Sequence, residues 1–210
     1  MIIVRLDPRR PDPEKLKPVA RVAARGGLVV YPTETVYGLG TNPLLEEAVE
    51  RVYEAKQRPR NKPLPVLAAS LQDVERIARL TPEARRLAEE YWPGPLTIIL
   101  EAKPALPHTV TACTGRVAVR IPGHPVARLL ARLAGGLIIG TSANISGMKP
   151  PRTLEEALRQ LEGRGIEAAV DAGPTPLGRP STIIDLTTKP PRLVRQGPIP
   201  WSEIERRTQH

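Results

Sequence analysis

The chain of 210 residues contains no phenylalanine and a single cysteine, Cys113. One cysteine excludes an intrachain disulfide, and the three histidines do not stand at the spacings of a zinc site. No apolar run approaches the roughly 18 to 20 residues of a membrane span, and the first residues lack the order of charge and apolar block of a signal peptide. These absences favour a soluble, cytoplasmic protein without a membrane association.

Cations and prolines are abundant. The chain has 31 Lys plus Arg against 22 Asp plus Glu, a formal net charge of +9, and 25 prolines. A cationic excess favours phosphate-bearing ligands or partners, although solubility alone also explains it. Arginine outnumbers lysine and asparagine is scarce, which is typical of proteins from thermophiles.

One stretch near the N-terminus has the form of a strand followed by a candidate site. Leu28 to Tyr31 is a short apolar run and predicts a buried strand. Thr33, Glu34 and Thr35 follow it, and we expect Gly38 and Gly40 to let the backbone turn sharply. Ligands of open α/β sheets lie beyond the carboxyl ends of the strands, so this loop is a candidate binding site. An ordinary polar turn with a threonine helix cap is the alternative.

The same layout recurs later in the chain. Leu137 to Gly140 is a second short apolar segment, and Ser142 and Asn144 follow it. Ser181 and Arg195 also stand at the ends of predicted strands. Asn144 has the donors and acceptors that suit a nucleotide, while a turn or capping role is the alternative. Because strands alternate with helices of about ten residues, the pattern predicts an α/β sandwich with some antiparallel pairing.

Side-chain cations are the candidates for holding phosphate, because the chain has neither a P-loop nor a Rossmann glycine motif. Lys56 and Arg58 stand at the end of a predicted helix, and Lys62 follows shortly after. A solvated helix terminus is the alternative for these residues. Arg120 lies in an otherwise apolar strand, which indicates either an ion-pair partner or an anionic ligand.

No side chain stands out as a nucleophile. Cys113 has no histidine close in sequence, and a lone cysteine is more often a small buried apolar residue. His124, between a glycine and a proline, is expected to cap or pack at a helix start. The motifs of serine hydrolases and zinc proteases are missing. Any reaction here is therefore expected to depend on positioning and on neutralising charge.

Six separated motifs together resemble the YrdC/Sua5 family. They are YPTETVYGLGTN at 31–42, the KxR element at 56–58, YWPGPLT at 91–97, VAVRIP at 117–122, the SAN element at 142–144, and STIIDLT at 181–187 with a later RQGPI. The resemblance implies an α/β fold in which a twisted sheet, mixed parallel and antiparallel, lies with flanking helices around a large, basic, concave cavity. We expect a single domain over 1–210, without the extra C-terminal domain of longer Sua5 members.

The resemblance also implies an activity. Members of this family are L-threonylcarbamoyladenylate synthases, nucleotidyltransferases that form threonylcarbamoyl-AMP and pyrophosphate from L-threonine, bicarbonate or CO2, and ATP. The product serves the t6A modification of tRNA, so the implied recipient is the tRNA-threonylcarbamoyl transferase machinery. Mg2+ is expected to accompany ATP, and tRNA or double-stranded RNA is a further expected partner.

The family motifs assign roles to residues of this chain. The implied ligands of L-threonine are Thr33, Arg120, Ser142 and Ser181. The implied ligands of ATP are Lys56, Arg58, Asn144, Thr153 and Arg195, among which Lys56 and Arg58 are the implied catalytic pair. Lys62 is expected near the phosphates or the carboxylate. Glu34 is expected to contact either magnesium or the amine of the substrate, or to serve as a structural hydrogen-bond acceptor.

Two other functions are compatible with the sequence. An RNA-binding module would bind a nucleic-acid backbone in the basic cavity without nucleotide turnover, and its affinity for RNA would fall steeply as the salt concentration rises. The low aromatic content argues against stacking on single strands. A paralogue in the same superfamily would use a different acyl acceptor.

Overall fold

The structure, a computed structural model, describes residues 1–208. Its strands are Ile2–Arg5 (β1), Leu28–Tyr31 (β2), Gly38–Gly40 (β3), Val66–Ala68 (β4), Leu96–Glu101 (β5), Arg116–Arg120 (β6), Leu137–Ile139 (β7), Thr141–Ser142 (β8), Ile166–Asp171 (β9), Thr182–Asp185 (β10) and Arg192–Arg195 (β11). Its helices are Pro13–Ala24 (α1), Glu46–Lys56 (α2), Leu71–Ile77 (α3), Pro82–Tyr91 (α4), His108–Thr111 (α5), Pro125–Leu133 (α6), Leu154–Gln160 (α7) and Trp201–Thr208 (α8). None of these helices is long and apolar enough to cross a membrane.

Several of the helices begin directly after a short polar side chain. Asp12, Ser70 and Thr81 each accept a hydrogen bond from a backbone N–H in the first turn of α1, α3 and α4. These bonds satisfy donors that have no partner inside the helix. The Nδ1 atom of His124 accepts from the backbone N–H of Val126 at 3.2 Å, so the predicted capping role of this histidine is confirmed.

The α/β class and the mixture of parallel and antiparallel pairs are confirmed, but the strands form two sheets instead of the single sheet that was predicted. The five-stranded sheet has the order β1-β9-β2-β3-β8, and the six-stranded sheet has the order β11-β10-β5-β6-β4-β7. Apolar runs show which segments are extended. They carry little information about which edges pair, and that pairing decides the number of sheets.

Gly38 and Gly40 lie in a strand, so the predicted sharp turn is wrong. β3 pairs antiparallel with β2, and Val30 stands opposite Leu39. Neither glycine is among the residues with a positive φ. A Cβ atom on Gly40 would lie 2.6 Å from the carbonyl oxygen of Ile139 and 2.7 Å from the ring of Tyr31. The absence of a side chain therefore serves close packing at this position.

The six-stranded sheet has one face in the core and one face toward a cavity. Ile98, Val119 and Ile184 point into the main apolar cluster. Their neighbours in the strands, among them Thr97 and Arg120, line the cavity on the other face. Successive side chains of a strand point to opposite faces, so the same short strands supply both the core and the floor of the cavity.

Candidate active site

A cavity of about 260 Å³ lies over the floor formed by β5, β6 and β10. Its walls come from the loop after β2, the segment after α2, the strand β8 and the edge strand β11. Its polar lining side chains are Thr33, Thr35, Arg58, Thr97, Arg120, Thr141, Ser142, Ser181 and Arg195. Seven separate segments of the chain therefore converge on one hollow that carries three arginines and a set of hydroxyl groups.

Six of the residues that the sequence singled out line this cavity: Thr33, Arg58, Arg120, Ser142, Ser181 and Arg195. The other five do not line it. Lys56, Glu34 and Asn144 are buried beside or behind its wall, Thr153 caps a helix, and Lys62 is exposed at the surface. The structure thus brings the two predicted sheet-edge loops together and separates the arginine of the KxR element from its lysine.

Arg58 and Arg195 are held by neutral oxygen atoms. Arg58 donates from Nε to the carbonyl oxygen of Lys62 at 3.1 Å and from Nη2 to that of Pro63 at 2.9 Å. Arg195 donates from Nε to the carbonyl oxygen of Ser181 at 2.9 Å and from Nη2 to its Oγ at 3.1 Å. Within residues 1–208 neither guanidinium has a carboxylate partner, so both present an uncompensated positive charge to the cavity.

Arg120 differs from these two arginines because its charge is compensated. Its Nη1 atom lies 2.7 Å from Oε1 of Glu34, and the two side chains are only 6% and 12% exposed. The second oxygen of the carboxylate, Oε2, is buried and has no hydrogen-bond partner among the described residues. This ion pair fixes the guanidinium at the floor while the cavity side of Arg120 stays available to a ligand.

Lys56 supports the loop after β8 from inside the protein. Its side chain is 1% exposed, and Nζ donates to the carbonyl oxygens of Ser142 and, at 2.7 Å, Asn144. Burial and the neighbouring Arg58 lower the pKa of Lys56 to about 7. In this arrangement Lys56 positions the segment that carries Ser142.

Asn144 and Thr153 make local contacts. The Nδ2 atom of Asn144 donates to the carbonyl oxygens of Ile145 and Met148, each at 2.8 Å, while its Oδ1 atom is buried without a partner among residues 1–208. Thr153 accepts from the backbone N–H of Glu156 at 3.2 Å and so caps α7. Asn144 therefore orders the loop beyond Ser142, and Thr153 orders the helix that follows.

Two lining hydroxyls, those of Thr97 and Thr141, were not identified as candidates in the sequence, and Thr35 was named there only as part of its loop. The Oγ1 atom of Thr97 lies 2.8 Å from Oγ of Ser181, and that of Thr35 lies 2.8 Å from Oγ1 of Thr33. The signal that points to Thr97 is its place at the end of the YWPGPLT motif. An isolated threonine in an apolar strand carries no signal of its own.

Metal-ligating side chains do not cluster at this site. Among residues 1–208 no group of three or more His, Cys, Asp or Glu side chains is placed to hold a metal ion. In the same range, no carboxylate lines the cavity. The site therefore suits anionic and hydroxyl-bearing ligands, and the protein side of it consists of guanidinium, hydroxyl and backbone groups.

The fold and the cavity define a mixed α/β protein that presents cations and hydroxyls to an anionic ligand at the floor of a sheet. A comparison with protein families gives this class a name. The Sua5/YciO/YrdC family, described as "Telomere recombination", matches residues 21–197, and the chain belongs to this family.

Named relatives and a solved structure agree with the family. The chain is 44% identical over 193 residues to a threonylcarbamoyl-AMP synthase of Pyrococcus abyssi and 42% identical over 196 residues to that of Bacillus subtilis. These matches cover 91% and 92% of this chain, and the chain spans 56% of each relative. A crystal structure of P. abyssi Sua5 complexed with L-threonine superposes with a TM-score of 0.94 at 42% identity, covering 99% of this chain and 61% of that one.

Proposed function

We propose that the protein is an L-threonylcarbamoyladenylate synthase, an enzyme of the nucleotidyltransferase class that joins L-threonine, bicarbonate or CO2, and ATP. The observation that carries the proposal is the division of charge within one cavity. Arg58 and Arg195 keep their full charge, whereas Arg120 is paired with Glu34. A polyphosphate and the single carboxylate of an amino acid are the two kinds of anionic group that such a division separates. The names of the relatives and the L-threonine in the P. abyssi complex support the same reading.

The amino-acid side of the site is assigned to Arg120 and the hydroxyls near it. Arg120 would bind the carboxylate of L-threonine, and Thr33, Ser142 and Ser181 supply hydrogen-bonding groups for the substrate's polar atoms. The hydroxyl of Thr33 donates its one hydrogen to the carbonyl oxygen of Val36 at 2.7 Å and accepts from the backbone N–H groups of Thr35 and Val36. It is therefore held in place before a ligand arrives, and it would contact the substrate without donating a hydrogen bond to it. Preorganised groups of this kind bind without a further loss of side-chain freedom.

The phosphate side is assigned to Arg58 and Arg195. A charge-assisted hydrogen bond to a phosphate oxygen contributes about 1.5 to 3 kcal/mol, and each guanidinium has further N–H groups beyond those used by the protein. Lys56 and Asn144 act on this side through the loop that they hold. The backbone carbonyls that orient both arginines add no negative charge to compete with a triphosphate.

The reaction that fits this site needs no covalent enzyme intermediate. The unprotonated amine of L-threonine attacks CO2, the new N–C bond forms, and the nitrogen loses a proton. A carbamate oxygen then attacks the α-phosphorus, a P–O bond forms, and the bond from the α-phosphorus to the bridging oxygen breaks, with its electron pair leaving on pyrophosphate. Both reactants are anionic, so the arginines accelerate the step by reducing repulsion and aligning the reacting atoms.

No carboxylate of residues 1–208 lines the cavity, and no group of three or more His, Cys, Asp or Glu side chains in that range is placed to hold a metal ion. We propose that Mg2+ is bound by the phosphate oxygens of ATP, which is the usual way that this ion meets a nucleotide. The proposed product is a reactive mixed anhydride. We propose that it passes in the cytoplasm to a transferase that modifies tRNA.

The proposal is tested by incubating the protein with ATP, Mg2+, bicarbonate and single amino acids while pyrophosphate is followed. We expect release that depends on both bicarbonate and L-threonine. Release that is independent of the amino acid, or its absence in every mixture, would overturn the proposal. RNA affinity that falls steeply with salt, without any nucleotide turnover, would point to the binding-module alternative.

A further inference from the structure

Thr97 lies between two of the arginines on the cavity floor. In the antiparallel pair β5–β6, Ile98 stands opposite Val119, and the register continued by one residue places Thr97 opposite Arg120. Thr97 and Arg120 both line the cavity, so the two side chains lie on the same face of the sheet. Directly opposed side chains on one face have Cβ atoms about 4.5 to 5.5 Å apart.

On its other side Thr97 reaches the second arginine through Ser181. The hydroxyl oxygens of Thr97 and Ser181 are 2.8 Å apart, and Nη2 of Arg195 donates to the same Ser181 oxygen at 3.1 Å. The side chains of Thr97 and Ser181 are 4% and 6% exposed, and both line the cavity. Arg195 in β11, Ser181 just before β10 and Thr97 in β5 are thus joined by one continuous row of hydrogen bonds across three neighbouring strands.

In this row of hydrogen bonds, the donor and the acceptor of each bond can be assigned. The two hydroxyls hold two O–H hydrogens and share a single contact, so one hydrogen is left over, and no other acceptor within the described residues takes it. Because Ser181 accepts from a cation, its own O–H is polarised and is the better donor to Thr97. The hydrogen that remains is then the O–H of Thr97, which ends the row with a donor strengthened by the charge of Arg195.

We propose that the hydroxyl of Thr97 is a catalytic residue that donates a hydrogen bond to a negatively charged oxygen where the amino-acid and phosphate sides of the cavity meet. This inference rests on the proposed function. The ligand class is an oxyanion of the reacting groups, either the carbamate oxygen that forms the new bond or a non-bridging oxygen of the α-phosphate. Thr97 donates a hydrogen bond throughout and transfers no proton, so the balance of the step is unchanged.

This role differs from that of a packing residue. A hydroxyl that only filled the floor would be replaceable by the methyl group of valine, which has nearly the same shape and suits a strand. A donor to an oxyanion is needed most when charge moves in the transition state, so its loss lowers kcat more than it raises KM. Serine keeps the hydroxyl and loses the methyl group, and so separates the two roles.

The test compares wild type, Thr97→Val and Thr97→Ser by pyrophosphate release at saturating ATP, bicarbonate and L-threonine. We expect Thr97→Val to lower kcat about ten- to hundredfold with smaller changes in either KM, and Thr97→Ser to keep most of the wild-type rate. The matched control is Thr109→Val, which removes a buried hydroxyl that has no partner within the described chain and does not line the cavity. Its kcat should equal that of wild type.

The outcomes separate this inference from the proposed function. Wild type that releases no pyrophosphate removes the proposed function itself. Active wild type with Thr97→Val at an unchanged kcat overturns the role of Thr97 alone. A loss that Thr97→Ser shares to the same extent, or that comes with a lowered midpoint of thermal unfolding in both variants, assigns Thr97 to packing and also overturns the inference.

Discussion

The ion pair between Arg120 and Glu34 gives the sharpest prediction for stability. Glu34→Gln keeps the size of the side chain and one oxygen acceptor but removes the negative charge. Arg120 then remains as an uncompensated cation whose side chain is 6% exposed. At so small an exposure water replaces the lost carboxylate only in part, and the cost appears in the free energy of unfolding.

The magnitude follows from the burial of both partners. Removing one partner of a buried pair costs about 3 to 5 kcal/mol. For a chain of this size each kcal/mol lowers the unfolding midpoint by about 2 to 4 °C, which gives a decrease of about 6 to 20 °C in total. The 2.7 Å separation and the unpartnered Oε2 of Glu34 show that the carboxylate serves Arg120 among the described residues.

The assay is thermal or urea unfolding of the variant without ligands. The matched control is Glu155→Gln, because Glu155 pairs with Arg159 at a similar 2.6 Å while the side chains are 81% and 72% exposed. Exposed pairs contribute at most about 1 kcal/mol, so this control should stay within about 4 °C of wild type. The double variant Glu34→Gln with Arg120→Met should recover much of the stability that Glu34→Gln loses.

Two results would refute this reasoning. One is a Glu34→Gln protein that unfolds within 1 °C of wild type. The other is a double variant that is less stable than Glu34→Gln by the full effect of Arg120→Met alone, since additive losses would mean that the two side chains do not interact.

Three further predictions concern the rest of the site. Arg58→Ala should lower kcat/KM for ATP about 10- to 150-fold with the fold intact, because it removes a charge-assisted bond; retained activity would take Arg58 out of the phosphate site. The pKa of Lys56 is lowered to about 7 in the folded chain, so the unfolded chain binds more protons above that pH. The unfolding free energy of wild type should therefore rise from pH 7 to 10 relative to Lys56→Met, and a constant difference would contradict this. Serine should replace L-threonine with a loss of about 1 to 3 kcal/mol while valine is rejected more strongly, and equal competition by valine would contradict a buried partner for the hydroxyl.

Local signals in the sequence were sufficient for the loops of the site. Thr33 and Ser142 each follow a short apolar run, and both line the cavity. The two apolar runs, β2 and β7, belong to different sheets, and β8, which carries Ser142, is joined to β2 through β3. The arginine in an apolar strand, Arg120, was expected to have either an ion-pair partner or an anionic ligand. The structure supplies the partner and still exposes the guanidinium to the cavity.

Features that depend on long-range pairing were beyond the sequence. Lys56 and Arg58 are two residues apart, but the left-handed backbone at Gln57 ends α2 between them and their side chains reach different surroundings. The proposed role of Thr97 depends on its contacts with Ser181 and Arg195, which lie at least 84 residues further along the chain. Such contacts follow from the register of three strands, and no local pattern encodes that register.

The most direct test of the whole account is the identity of the product. The protein would be incubated with L-threonine, ATP and isotope-labelled bicarbonate, and the nucleotides analysed by mass spectrometry. We expect threonylcarbamoyl-AMP that carries the label, formed in step with pyrophosphate. An unlabelled threonyl-AMP, or hydrolysis of ATP without any adduct, would contradict the claim that this cavity aligns a carbamate with the α-phosphate.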